Sequence, residues 1–129
     1  DTLYCKLLCG KSQSFQVDSD LETLYLAMST APSIRVDSQS DPVRISVDMC
    51  LSLQKKSECA NTNQIAQMLR ERILATIDRC KRMGVEPFQF ADVAAGGFAT
   101  IGEWLDYDWH SHFSDSEVEL RIQIIDEAA

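Results

Sequence analysis

The stretch NTNQIAQMLRERILATIDRCKRMG, residues 61–84, decides how the rest of the chain is read. Ile65, Leu69, Ile73, Thr76, Ile77 and Cys80 recur at steps of three and four, which gathers them on one face of an α-helix. Asn61 suits the N-cap, and Gln64 three residues on completes a capping box. At the other end Lys81 and Arg82 suit the negative pole of the helix dipole, and Gly84 takes the left-handed conformation that stops the helix. Arg70, Glu71, Arg72, Asp78 and Arg79 lie on the outer face. The apolar stripe needs a sheet to cover.

That sheet is announced immediately upstream. Val43, Ile45, Val47, Met49, Leu51 and Leu53 alternate with Arg44, Ser46, Asp48, Cys50, Ser52 and Gln54, the period-two pattern of a strand with one face on a core. Ile34 and Val36, across the polar loop Ser38–Pro42, supply the other arm of a hairpin. Further toward the N-terminus, Leu3, Cys5, Leu7 and Cys9 predict a strand, Gly10 to Gln13 a turn, and Phe15 and Val17 a short return strand. Ser19 and Glu22 have capping-box spacing, and Leu21, Leu24, Tyr25 and Met28 follow at helical steps. A first helix is predicted there, stopped near Ser29 by the approach of Pro32.

Downstream of the long helix, Pro87 to Phe90 reads as extended and Ala94 to Gly97 as a loop. Leu105, Tyr107, Trp109 and Phe113, set against Asp106, Asp108, His110 and His112, predict a strand. A turn at Ser114–Ser116 and the alternation of Val118, Leu120, Ile122 and Ile124 complete a C-terminal hairpin. The whole predicts one α+β domain over residues 1–129, an antiparallel or mixed sheet with two helices packed on one side.

At 129 residues the chain has single-domain length, and its 45% hydrophobic and 25% charged composition is that of an ordinary soluble protein. No apolar run reaches the ~20 residues that span a bilayer, and no signal-peptide pattern opens the chain, so cytoplasm is the expected compartment. The five cysteines (Cys5, Cys9, Cys50, Cys59, Cys80) are odd in number, which speaks against a disulfide framework and for buried, reduced thiols. Cys5-x-x-x-Cys9 lacks the second pair that a zinc finger requires.

Charge is more informative. The formal net charge is −8, and Ile101–Ala129 alone holds Glu103, Asp106, Asp108, Asp115, Glu117, Glu119, Asp126 and Glu127 against Arg121. The helix stretch is of opposite sign, with Arg70, Arg72, Arg79, Lys81 and Arg82 against Glu71 and Asp78. So acidic a C-terminal region makes a poor nucleic-acid groove, since phosphate affinity comes from clustered Lys and Arg. Segregation of this kind suits a partner of opposite sign. The candidate interface is therefore basic Arg70, Arg72, Arg79 and Lys81 meeting acidic Asp106, Asp108, Glu117 and Glu119 between copies.

Catalytic chemistry finds little support in the motifs. Asp106, Asp108, His110 and His112 carry metal-ligand side chains, but on a strand i and i+2 groups stand ~6.5–7 Å apart, too far for four to share one ion. Gly96-Gly97 lacks the Lys-Ser or Lys-Thr of a phosphate loop, and no Gly-x-Ser-x-Gly elbow occurs. No enzyme and no cofactor are expected.

The order helix, hairpin, helix, hairpin over Ile34–Ile125, with Val43-Arg44-Ile45-Ser46-Val47, Leu69-Arg70-Glu71-Arg72-Ile73 and Val118-Glu119-Leu120-Arg121-Ile122, resembles the tail terminator or tail completion proteins of tailed bacteriophages. The resemblance implies a small α+β subunit forming a ring, commonly a hexamer, that ends the tail tube and joins it to the head. It implies homo-oligomers, contacts with tail tube and head–tail connector proteins, DNA only passing through a channel, and a place in the virion. An alternative from the charge alone is a cytosolic acidic binding protein, of immunity or inhibitor type, acting on a basic partner.

Overall fold

The computed structural model describes residues 2–8, 13–19, 22–28, 30–55, 61–84 and 90–126. Its centre is the strand β4, Arg44–Leu53, taken here with its neighbours β1 (Gln13–Asp18), β2 (Thr23–Met28), β3 (Ser33–Asp37) and β5 (Glu117–Asp126). Val43, Ile45, Val47, Met49, Leu51 and Leu53 are all buried, as the alternation requires. β3 pairs antiparallel with the first half of β4, from Asp37↔Arg44 to Ser33↔Asp48, which is the predicted hairpin. β5 runs parallel to β4 along its whole length, from Arg44↔Glu117 to Leu53↔Asp126. A strand has two edges, so β3 shares the remaining edge with β2, which joins at Leu26↔Leu53 and Ala27↔Ser52. β1 then pairs with β2, and β1 and β5 end the mixed sheet on opposite sides.

Helix α2, Thr62–Met83, lies over the apolar face. Ile65, Leu69, Ile73, Thr76, Ile77 and Cys80 are its buried residues. Gln64 N–H donates to Asn61 Oδ1 and Asn61 N–H to Gln64 Oε1, each at 2.9 Å. Gly84 stands at φ 72°, where a side chain would be strained. Each fully buried Leu or Ile stabilises by roughly 1.5–3 kcal/mol, so this stripe dominates the packing.

Five helices are described, where two were predicted, and three expected elements change type. α1 (Thr2–Leu8) is a helix. Tyr4, Leu7 and Leu8 are buried and Leu3 packs beside them, a helical i, i+1, i+4, i+5 grouping that the predicted strand would have split between two faces. The predicted helix after Ser19 is strand β2. Ser19 N–H donates to Glu22 O at 2.8 Å and Glu22 N–H to Ser19 Oγ at 3.0 Å. The capping-type bond thus forms, but between the end of β1 and the start of β2, and Leu24, Leu26 and Met28 bury at period two. The predicted strand after Glu103 is helices α4 (Ile101–Asp106) and α5 (Trp109–Ser114), following α3 (Phe90–Ala95). Parallel strands cannot be joined by a tight turn, and α2 to α5 supply the crossover from β4 to β5. The C-terminal hairpin therefore does not exist. Thr100 Oγ accepts from Glu103 N–H at 3.1 Å to cap α4, and Trp109 and Phe113 bury at i, i+4 on α5.

Cys9–Ser12, Leu21, Ser29, Cys59 and Pro87–Gln89 lie outside the described residues, as does the Cys5 side chain. Cys80 is buried as expected, whereas Cys50 is an exposed thiol on the polar face of β4.

Candidate interaction surface

Three of the five basic residues of α2 are already occupied. Arg70 Nε donates to Leu120 O at 3.1 Å, Arg72 to Asp18 O at 2.7 Å, and Lys81 Nζ to Ser116 O at 2.6 Å. These bonds tie α2 to β5, to the end of β1 and to the α5–β5 turn. Arg79 is exposed on the last turns. Burial lowers the Lys81 pKa, and the negative charges of Asp78, Asp115 and Glu117 oppose that shift. The opposite charges thus do meet within one chain: Lys81 lies in the field of Glu117, because β5 returns beside α2 rather than folding away as a hairpin.

The outer face of the sheet holds the remaining charges in a ladder. Asp48 sits between Arg35 at 3.7 Å and Arg121 at 3.5 Å, Arg121 also reaches Glu119 at 3.5 Å, and Arg44 lies 3.9 Å from Glu117. These pairs are solvent-exposed and worth about 0–1 kcal/mol each. The polar row Asp106, Asp108, His110, His112 is dispersed over α4, its exit and α5. Asp108 takes φ 57° and accepts from Ser111 Oγ at 2.8 Å; His112 stacks on Tyr107 with centroids 3.9 Å apart. Among the described residues no group of three or more His, Cys, Asp or Glu is placed to hold a metal ion.

The two tryptophans, expected on a strand, build a different feature. Trp104, packed against Phe98 at 5.5 Å and Trp109 at 5.9 Å, and Trp109, packed against Phe113 at 5.9 Å, join α4 to α5. Phe113 meets Phe90 of α3 at 6.3 Å. Between these helices lies a groove of about 440 Å³ lined by Ala91, Trp104, Leu105, Asp108, Trp109 and His110. Trp109 is buried, and its indole N–H has no hydrogen-bond partner among the described residues. Leu105, assigned by alternation to the core, is 73% exposed, and Ile101 one turn earlier is 78% exposed. The signal available in the sequence was the spacing of Trp109 and Phe113 with Phe90 and Ala94, two i, i+4 pairs that period-two alternation obscured.

The sequence matches no protein-family profile and no curated protein. Among solved structures it is similar to the crystal structure of the GerBC protein, at 12% identity with a TM-score of 0.70. The similarity covers 98% of this chain and 44% of that one, so the chain spans less than half the length of GerBC. At this identity the likeness shows a shared α+β fold. No helix among the described residues is long and apolar enough to cross a membrane.

Proposed function

We propose that this chain is a non-enzymatic contact module that serves spore germination as one part of a larger machinery. The observation that carries this is the GerBC likeness, which runs through nearly all of the chain at a TM-score of 0.70; GerBC is a spore germination protein. The surface agrees with work by contact. Its cations brace the fold, while exposed apolar and acidic side chains gather on α4 and around it. Deleting the encoding gene in the source organism tests the proposal: spores should form and then respond more slowly to germinants. Unchanged germination, or a source that makes no spores, overturns it.

The ring subunit at the end of a phage tail tube is a second proposal, favoured by the open edges of the sheet. Among the described residues β5 pairs only with β4 and β1 only with β2. An edge of β5 on one copy against β1 of the next is a head-to-tail contact, which closes a ring when the rotation permits. Arg70 stands in the way, since it covers Leu120 O on that edge. Light scattering of the purified chain separates the two: a closed oligomer of fixed size supports the ring, and a monomer at high concentration removes it.

A further inference from the structure

Helix α4 turns two large apolar side chains outward at i, i+4 spacing. Ile101 and Leu105 share one side of the helix, and Leu105 forms a wall of the groove with Trp104 and Trp109. Single exposed apolar residues are ordinary, but two on one helix face beside a tryptophan-walled hollow form a patch of the kind that partners cover. The rim has one sign. Asp108 lines the groove, Asp92, Glu103 and Asp106 are exposed next in sequence to its lining residues, and the sequence contains no Lys or Arg between Arg82 and Arg121.

We propose that this groove docks an amphipathic segment of a partner protein, its apolar side chains over Ile101, Leu105 and Trp104 and its Lys or Arg residues against the acidic rim. Aromatic anchors in a hollow supply the affinity of such contacts, and complementary charge at the rim supplies orientation and association rate. The sign of the rim identifies the occupant. An anionic lipid surface is repelled by it. A second copy has three of the five cations of its helix engaged, because Arg70, Arg72 and Lys81 bond carbonyl oxygens of their own chain. This proposal rests on the contact-module function, but its assay is independent of any germination phenotype.

Trp104 and Trp109 are the only two tryptophans of the chain, so intrinsic fluorescence reports on the groove directly. A short helical peptide of Leu and Lys, titrated into the whole chain, should give a saturable spectral change that weakens as salt is raised. Leu105→Asp should weaken binding about tenfold or more, and Ile101→Asp should act in the same direction, with melting temperatures unchanged because both side chains are exposed. Equal response to a Leu and Glu peptide, or no saturation at about 1 mM, overturns the proposal. An equal response to phosphatidylcholine vesicles would assign the patch to a membrane, and a dimer that Leu105→Asp dissolves would assign it to a second copy; either overturns it.

Discussion

Leu69 lies in the middle of the α2 stripe with its side chain fully buried, and Ile73 is equally enclosed one turn on. Leu69→Ala should destabilise the chain by ~2–5 kcal/mol in denaturant melts, through lost apolar contact and the cavity left behind. A change below ~0.5 kcal/mol, the size typical of surface sites, would mean that α2 is not packed on the sheet. Two titratable side chains give the chain a dependence on alkaline pH. Burial holds the Lys81 pKa below 10.5, so between its folded value and 10.5 the unfolded chain binds the extra proton and stability rises with pH. Tyr107 runs the other way. Burial first, then the charges of Asp37 and Asp41, raise its pKa above 10.0, so the folded chain keeps the phenolic proton and stability falls as pH climbs through that raised value. Lys81→Met should abolish the rise and Tyr107→Phe the fall. Urea melts of the two variants between neutral and strongly alkaline pH check both signs, and a Tyr107→Phe variant with the wild-type alkaline decline would refute the second.

At the scale of elements, α2 and β4 were legible because one period governs each of them over many residues. In α2 the cap, the stripe and the terminal glycine agree, and Asn61→Ala should cost ~0.5–2 kcal/mol by leaving the Gln64 N–H without its acceptor. The elements that were misjudged are short, and two periods compete in each. Leu24 and Met28 fit both a helix and a strand; Leu26 fits only the strand, and it is buried. Tyr4 and Leu8 stand on the face that a strand would expose, yet α1 buries both with Leu7. The row from Leu105 to Phe113 alternates only by accident of an aromatic-rich helix pair broken at Asp108, whose left-handed backbone separates α4 from α5. Pairing was the least legible feature. Strand β5 was identified by its alternation, but nothing local distinguishes a hairpin partner from a parallel neighbour reached across sixty-odd residues of crossover. Its parallel course also brings β5 beside α2, and Arg70, Arg72 and Lys81 of the candidate interface are hydrogen-bonded to β5, to β1 and to the turn between α5 and β5. Arg70→Ala should therefore lower stability and loosen β5, which faster hydrogen exchange of the Arg121 and Gln123 amides, turned toward β4, would detect.

On the scale of the whole molecule, a mixed sheet covered on one face by α2 leaves two surfaces for partners: the charged outer face of β3, β4 and β5, and the acidic groove beside α4. The first is self-satisfied, with Asp48 shared between Arg35 and Arg121. The second is not, because Ile101 and Leu105 gain nothing from solvent. Altering the groove should therefore leave the fold intact and remove only the proposed contact. Titration of the whole chain and of its Leu105→Asp variant with a Leu and Lys peptide, followed by tryptophan fluorescence, tests this most directly. Saturable binding by the native chain that Leu105→Asp weakens about tenfold or more, with both proteins melting at the same temperature, is the expected result; equal binding by the two would contradict a docking role for the groove.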